Sequence, residues 1–148
     1  MTGGRGLVVL PVRKLIGGHA EGEALATAHP LTFWGGIDPA TAVIIEAQHE
    51  LRGQTVTGKV LVFPRGAGSS SGCGVLMEML RRGNNPAAII NIETEAVLAL
   101  GPIIAQELYG RSFPIVTVKP DHFTKLRTGD RLVVDADAGQ VRAWRQGA

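Results

Sequence analysis

Short apolar runs at residues 22–27, 42–46, 59–63, 87–91, 115–119 and 131–135 are separated by stretches containing Gly, Pro or Asp. This punctuation constrains the fold more than any other feature. Runs of five or six residues between turn formers have the length of strands rather than helices. After the last of them, Asp137-Ala138-Gly139 reads as a turn that brings residues 140–144 back as a hairpin partner. Two stretches change to helical spacing. Beyond Gly74, the residues Val75, Leu76, Met79 and Leu80 share one helical face, Arg81 and Arg82 fall in the last turn, and Gly83 is placed to stop it. Residues 93–109 form the second, and Gly101-Pro102 is expected to break or kink it. Pro102 would then open a helix carrying Ile103, Ile104 and Leu108. The expected class is α/β, with more strand than helix.

A chain of 148 residues is the size of one domain, and neither a repeat nor a low-complexity linker divides it, so residues 1–148 are expected to form a single domain. The net charge of +2 comes from scattered basic residues with no run of four or more, which argues against a nucleic-acid interface. The apolar stretch 7–12 is interrupted by Pro11 and followed by Arg13 and Lys14. It is too short for a signal segment or a membrane span, and a cytoplasmic protein without membrane contact is expected. One cysteine, Cys73, cannot close an intrachain disulfide, nor by itself hold an iron–sulfur cluster. The histidines His19, His29, His49 and His122 lie outside helical reach of one another, so no local metal motif is present. Glu21 and Glu23 would share one face of a strand, by default a solvated one. Phe33-Trp34-Gly35-Gly36 reads as core aromatics and a tight turn, with Trp34 suited to an interface.

The chemistry concentrates in GAGSSSGCGVLMEMLRRG, residues 66–83. Strand 59–63, a glycine-rich loop and a helix follow one another, an order that aims backbone N–H groups and the positive helix end at one point and suits a phosphate or carboxylate. No Gly-Lys-Ser/Thr follows, and the glycine spacing misses the dinucleotide fingerprint by one residue. A helix cap requires one hydroxyl. Ser69, Ser70 and Ser71 between Gly68 and Gly72 exceed that requirement and leave room for a ligand to approach the backbone. A serine hydrolase is disfavoured, because no Asp/His partnership is evident from spacing.

The ordered set GGHAEGEAL (17–25), LTFWGGIDPAT (31–41), LRGQTVTGKVLVFPRGAGSSSG (51–72) and NPAAIIN (85–91) resembles the small subunit, or swivel domain, of the aconitase X family. The resemblance covers about residues 13–120. It implies a swivelling β/β/α fold, a small β-barrel or packed sheets flanked by helices. It also implies a hydro-lyase subunit that is active only as a heterodimer with a large aconitase-X-type subunit. That partner would carry the iron or iron–sulfur cluster, and this chain no metal and no cofactor of its own. By the same resemblance Ser69 matches the base that removes a proton beside a carboxylate, and Ser70 and Ser71 are hydrogen-bonding neighbours. Arg65, Gly66, Ala67, Gly68 and Gly72 complete the loop that holds a small carboxylate substrate. The family substrates are cis-3-hydroxy-L-proline and mevalonate 5-phosphate, and the first is the expectation here. The sequence departs from the family pattern at Ala67, where an arginine is usual; either Arg65 or the partner then supplies the positive charge. Cys73 stands where serine is common and reads as a small buried thiol rather than a ligand.

Residues 107–141 are similar to the end of the swivelling phosphohistidine domain of phosphoenolpyruvate-using enzymes, a non-catalytic carrier and the alternative reading. Its carrier histidine is expected just before the second helix, and none lies between Asn91 and Tyr109. The tail therefore speaks for a shared fold rather than for phosphoryl transfer.

Overall fold

The computed structural model describes residues 6–67 and 72–145. In chain order the elements are β1 (Leu7–Pro11), β2 (Arg13–Ile16), β3 (His19–Ala26), β4 (Leu31–Thr32), β5 (Ile37–Asp38), β6 (Val43–Ile44), β7 (Val60–Val62), β8 (Gly66–Ala67), α1 (Gly72–Arg82), β9 (Ala88–Asn91), α2 (Ala96–Tyr109), β10 (Ile115–Thr117), α3 (Pro120–Phe123), β11 (Arg131–Asp135) and β12 (Gln140–Trp144). Among the described residues, eight strands form one mixed sheet in the order β1-β12-β11-β3-β7-β9-β10-β2. β1 and β2 are consecutive in the chain, with Val12 between them, yet occupy the two ends of that order. The sheet must therefore curl until its edges nearly meet. Val12 marks the corner, its N–H donating to the Gly139 carbonyl at 3.0 Å. The small curled sheet flanked by helices that the sequence predicts is the one observed.

β3 joins the two halves of the sheet. Its first residues pair antiparallel with β11, His19 opposite Asp135 through Glu23 opposite Arg131, and its last three run parallel to β7. Strands β7, β9 and β10 are parallel neighbours buried on both faces, which explains their unbroken apolar sequence. Alternate residues divide two cores. Val60, Val62, Ala88, Ile90 and Val116 point inside the barrel with Leu132, Val134 and Val141. Leu61, Ile89 and Ile115 point outward against Leu76, Met79 and Leu80 of α1 and Ala105 of α2.

Hairpin β11–β12 has the expected limits, with Arg131 opposite Trp144. α1 ends as expected at Gly83, whose φ is 80° and whose N–H donates to the Met79 carbonyl at 2.8 Å. Arg111 adds Nη1 hydrogen bonds to the Leu80 and Arg81 carbonyls at 3.1 and 3.0 Å, satisfying acceptors that the helix end leaves open.

Three expectations are corrected. The run at 42–46 contributes only Val43–Ile44, in a small ladder with Ile37–Asp38, because Ala42 has a φ of 62° and cannot extend the strand. Residues 7–11, read as an apolar stretch, are an edge strand. Most informative, α2 runs uninterrupted from Ala96 to Tyr109 through Gly101-Pro102. Proline inside a helix costs about 3 kcal/mol relative to alanine. Tertiary packing overrides this, since Leu98, Ala99, Pro102 and Ala105 are all buried in the continuous helix. Gly101 lets the two helices approach closely. A Cβ there would stand 2.8 Å from the Cys73 carbonyl oxygen and 3.0 Å from Leu76 Cβ.

Candidate functional site

The loop that begins at Pro64 has both of its described ends built into the fold. Pro64 is buried, and its carbonyl accepts hydrogen bonds from the N–H groups of Ile92 and Glu93 at 3.0 and 3.1 Å. Asn91, fully buried at the end of β9, donates from Nδ2 to the Phe63 carbonyl at 2.8 Å and accepts at Oδ1 from the Thr94 hydroxyl at 2.7 Å. One amide thus locks the strand ends on either side of the loop's entry. A buried amide with partners at both ends is worth more than a lone surface bond, because removing one partner leaves the other unsatisfied. Beyond Pro64, Gly66 and Ala67 form β8, parallel to Leu31–Thr32, and the Leu31 N–H donates to the Arg65 carbonyl at 3.2 Å.

On the far side, Gly72 is the first residue of α1 and is buried. A Cβ at Gly72 would lie 3.4 Å from Phe33 Cβ and 3.5 Å from Leu98 Cδ1. The helix start is therefore wedged between the FWGG segment and α2. No acidic residue occupies the first turn of α1, so its positive end is not offset by the helix's own side chains.

Of the residues singled out from the sequence, Arg65, Gly66, Ala67 and Gly72 lie on these two flanks. Gly68, Ser69, Ser70 and Ser71 lie outside the described residues. Arg65 is half-exposed, and its Nε is 3.3 Å from Glu93 Oε1. The guanidinium is thereby turned toward the 92–94 segment that Asn91 and Thr94 organise. Cys73 is half-buried rather than buried. Glu21 and Glu23 share a strand face as expected, paired at 3.0 Å with Arg131 and Lys59. Trp34 is 61% exposed beside Cys73 and Gly74 at the start of α1.

The structure also assembles groups that sequence spacing did not connect. Thr27, nearly buried, donates its hydroxyl to Glu50 and accepts the N–H of His29 at 3.1 Å. His29 Nε2 lies 3.7 Å from Glu50 Oε1, and the rings of His29 and His49 meet edge-to-face at 6.3 Å. His49 accepts the Leu51 N–H at Nδ1 and lies 3.1 Å from the Pro30 carbonyl at Nε2, which fixes the tautomer with the proton on Nε2. Glu46 accepts the N–H of Thr32 at 3.0 Å and so braces β4, the strand that pairs with β8. An open apolar groove runs from Thr27 and Glu50 past Pro64 and Ile92 to Phe123. Asn91 was the one legible signal among these, a polar residue closing an otherwise apolar run.

The donor chemistry gives this chain no iron site among the described residues. No three His, Cys, Asp or Glu side chains converge there, and the sequence holds a single cysteine. No described helix is long and apolar enough to cross a membrane.

Comparison with known proteins places this geometry. The family model of the aconitase X swivel domain matches residues 9–143. The small subunit of phosphomevalonate dehydratase from Thermococcus kodakarensis is 41% identical over 135 residues, covering 91% of this chain and 96% of that one. The cis-3-hydroxy-L-proline dehydratase of Pseudomonas aeruginosa is 47% identical over 103 residues, 70% of this chain but 18% of that protein. The crystal structure of Thermococcus kodakaraensis aconitase X in its holo-form superposes with a TM-score of 0.83 at 40% identity, over 93% of this chain and 99% of that one. With its curled mixed sheet, its paired helices and its serine-rich sequence between β8 and α1, the chain belongs to the aconitase X swivel domain family.

Proposed function

We propose that this chain is the small subunit of a hydro-lyase and closes over a hydroxylated carboxylate substrate bound mainly by a large partner chain. The observation that carries the reading is the family match across residues 9–143, which includes the anchored loop between β8 and α1. The relatives are dehydratase subunits or, in the Pseudomonas protein, a dehydratase of which this domain is a small part. Their names support cis-3-hydroxy-L-proline and mevalonate 5-phosphate as substrates with no preference between them.

Both molecules carry a hydrogen on the carbon next to the carboxylate and a hydroxyl on the carbon after it. Elimination moves the proton from the first carbon to a base, forms the double bond and expels the hydroxyl, which takes a proton from solvent or from the protonated base and leaves as water. In this proposal Ser69 is the base, Ser70 and Ser71 are its hydrogen-bonding neighbours, and Gly66, Ala67, Gly68 and Gly72 belong to the segment that binds the carboxylate. Arg65 contributes the positive charge in place of the arginine missing at Ala67. A serine alkoxide is a poor species in water, but fixed donors in a closed, dry site stabilise it. α1 begins at Gly72, so its positive end directly follows that segment in the chain. Iron, in a large subunit with its own ligands, would polarise the substrate's oxygens.

Reconstitution with the large aconitase-X-type subunit of the same genome, followed by assay on both substrates, tests the reading. Turnover of one of them by the pair, and none by either chain alone, is expected. An assembled, iron-loaded pair inert toward both overturns it. For Arg65→Ala, the Michaelis constant should rise at least as much as turnover falls, because a carboxylate anchor holds ground state and transition state alike.

A further inference from the structure

We propose that the outward face of α2 is the surface on which the large partner chain docks, an inference that rests on the two-chain reading above. Val97, Leu100, Ile104 and Leu108 recur at three- and four-residue spacing and form one stripe, exposed by 36, 44, 36 and 62%. Ile103 flanks the stripe, 48% exposed. The opposite face of the helix, through Leu98, Ala99, Gly101, Pro102 and Ala105, is already buried in the domain. Glu107 is the one charged residue in the sequence of this helix. A contiguous row of large aliphatic side chains left in water marks an interaction surface rather than a solvated face.

Two observations identify the occupant. Leu98 lies against both described ends of the serine loop, its side-chain carbons 3.5 Å from the Cβ position of Gly72 and 4.0 Å from that of Gly66. Val97, the first residue of the stripe, is next to it in the chain. A protein that closes a site over that loop arrives beside the stripe. Secondly, the segment of the Pseudomonas relative that matches this chain is 18% of its length, so there a domain of this kind is continuous with a much longer polypeptide. The natural neighbour is thus a large protein rather than a second copy. Its complementary surface is an apolar strip with a basic group opposite Glu107.

The test titrates the full chain with the purified large aconitase-X-type subunit from the same genome and follows binding and turnover separately. Leu100→Glu/Ile104→Glu is expected to weaken binding at least about a hundredfold, as hot-spot truncations do, while the free chain keeps its melting temperature. Arg81→Ala/Arg82→Ala, on the outer face of α1, should change it less than about threefold. Hydrogen exchange on the wild-type pair supplies a reading that needs no substitution: residues 96–109 should gain protection on assembly. The proposal is overturned if the double variant binds like wild type, if α2 gains no protection in the complex, or if α2 is instead covered by a second copy that persists there. A pair that assembles through α2 but dehydrates neither substrate removes the dehydratase reading and leaves the dock. A pair that is active and unaffected by the double variant does the reverse.

Discussion

α1 and α2 are packed against each other across Gly101, and their outer faces are opposites. α1 turns Glu78, Arg81 and Arg82 outward, with the carboxylate 2.7 Å from both guanidinium groups. α2 turns a row of aliphatic side chains outward. The hydrogen bonds from Arg81 and then Arg82 hold the Glu78 carboxyl down to about 2, from 4.5. A helix with a closed charged face is finished within its own domain. One with apolar residues on both sides has covered only half of them. In the proposed reading the two helices divide the work: α1 starts at the segment assigned the chemistry, and α2 offers a surface for assembly.

The largest effect expected of this division is at Ser69. Ser69→Ala should lower turnover of the reconstituted pair by at least about a hundredfold, the lower end for a positioned acid–base group, with assembly unchanged. Near-normal turnover by a folded, assembled variant would return the serine run to helix capping, where alanine costs about 1 kcal/mol of stability and no rate.

The helix crossing is tested next by two identical changes with opposite expected signs. Gly101→Ala forces a methyl group against the Cys73 carbonyl and should destabilise the chain by about 1–3 kcal/mol in denaturant titration. Gly74→Ala meets nothing within 4 Å on the exposed side of α1 and should stabilise it by about 0.5–1 kcal/mol. Equal effects would mean that the close approach at Gly101 does not govern the pair.

The smallest effect concerns the charged face of α1. The carboxyl of Glu78 is depressed in the folded chain, so its stabilising pairing is fully present above about pH 4.5 and lost as pH falls through about 2. The difference in melting temperature between wild type and Glu78→Gln should therefore be constant at neutral pH, shrink across that window and be suppressed in about 1 M salt. A difference that survives unchanged at pH 2 assigns the role of Glu78 to packing rather than charge.

Where each element depends on its own residues, the sequence revealed it. Alternation and turn formers located β11 and β12 to the residue, and one-sided apolar spacing located α1. The continuity of α2 was hidden because Gly101-Pro102 is locally a helix breaker, and what overrides it is the packing of Leu98, Ala99 and Ala105, together with α1's close approach at Gly101. The exposure of Leu100 and Ile104 was hidden for a related reason. A helix apolar all round looks like core until its neighbours are known. At the site, the Gly-Ser run was conspicuous as a motif, whereas the lock by Asn91 and the brace by Glu46 join residues far apart in the chain, which no local pattern connects. Beyond the described flanks, the assignment of Ser69 rests on the family resemblance.

The ladder partner of β1 is β12, which pairs Leu7 with Trp144. The barrel interior beneath them, with Leu10, Val141 and Ala143, cannot close until the last strand of the described chain has arrived. Closure is thus a late event that joins two distant parts of the polypeptide, and the entropy of that long loop must be met before the contacts repay it. Topologies of this kind refold on the millisecond-to-second scale, roughly. Until the final hairpin is in place, β1 remains an unpaired edge open to strands of other molecules. During refolding at high concentration, this edge is where competition between folding and aggregation should be decided.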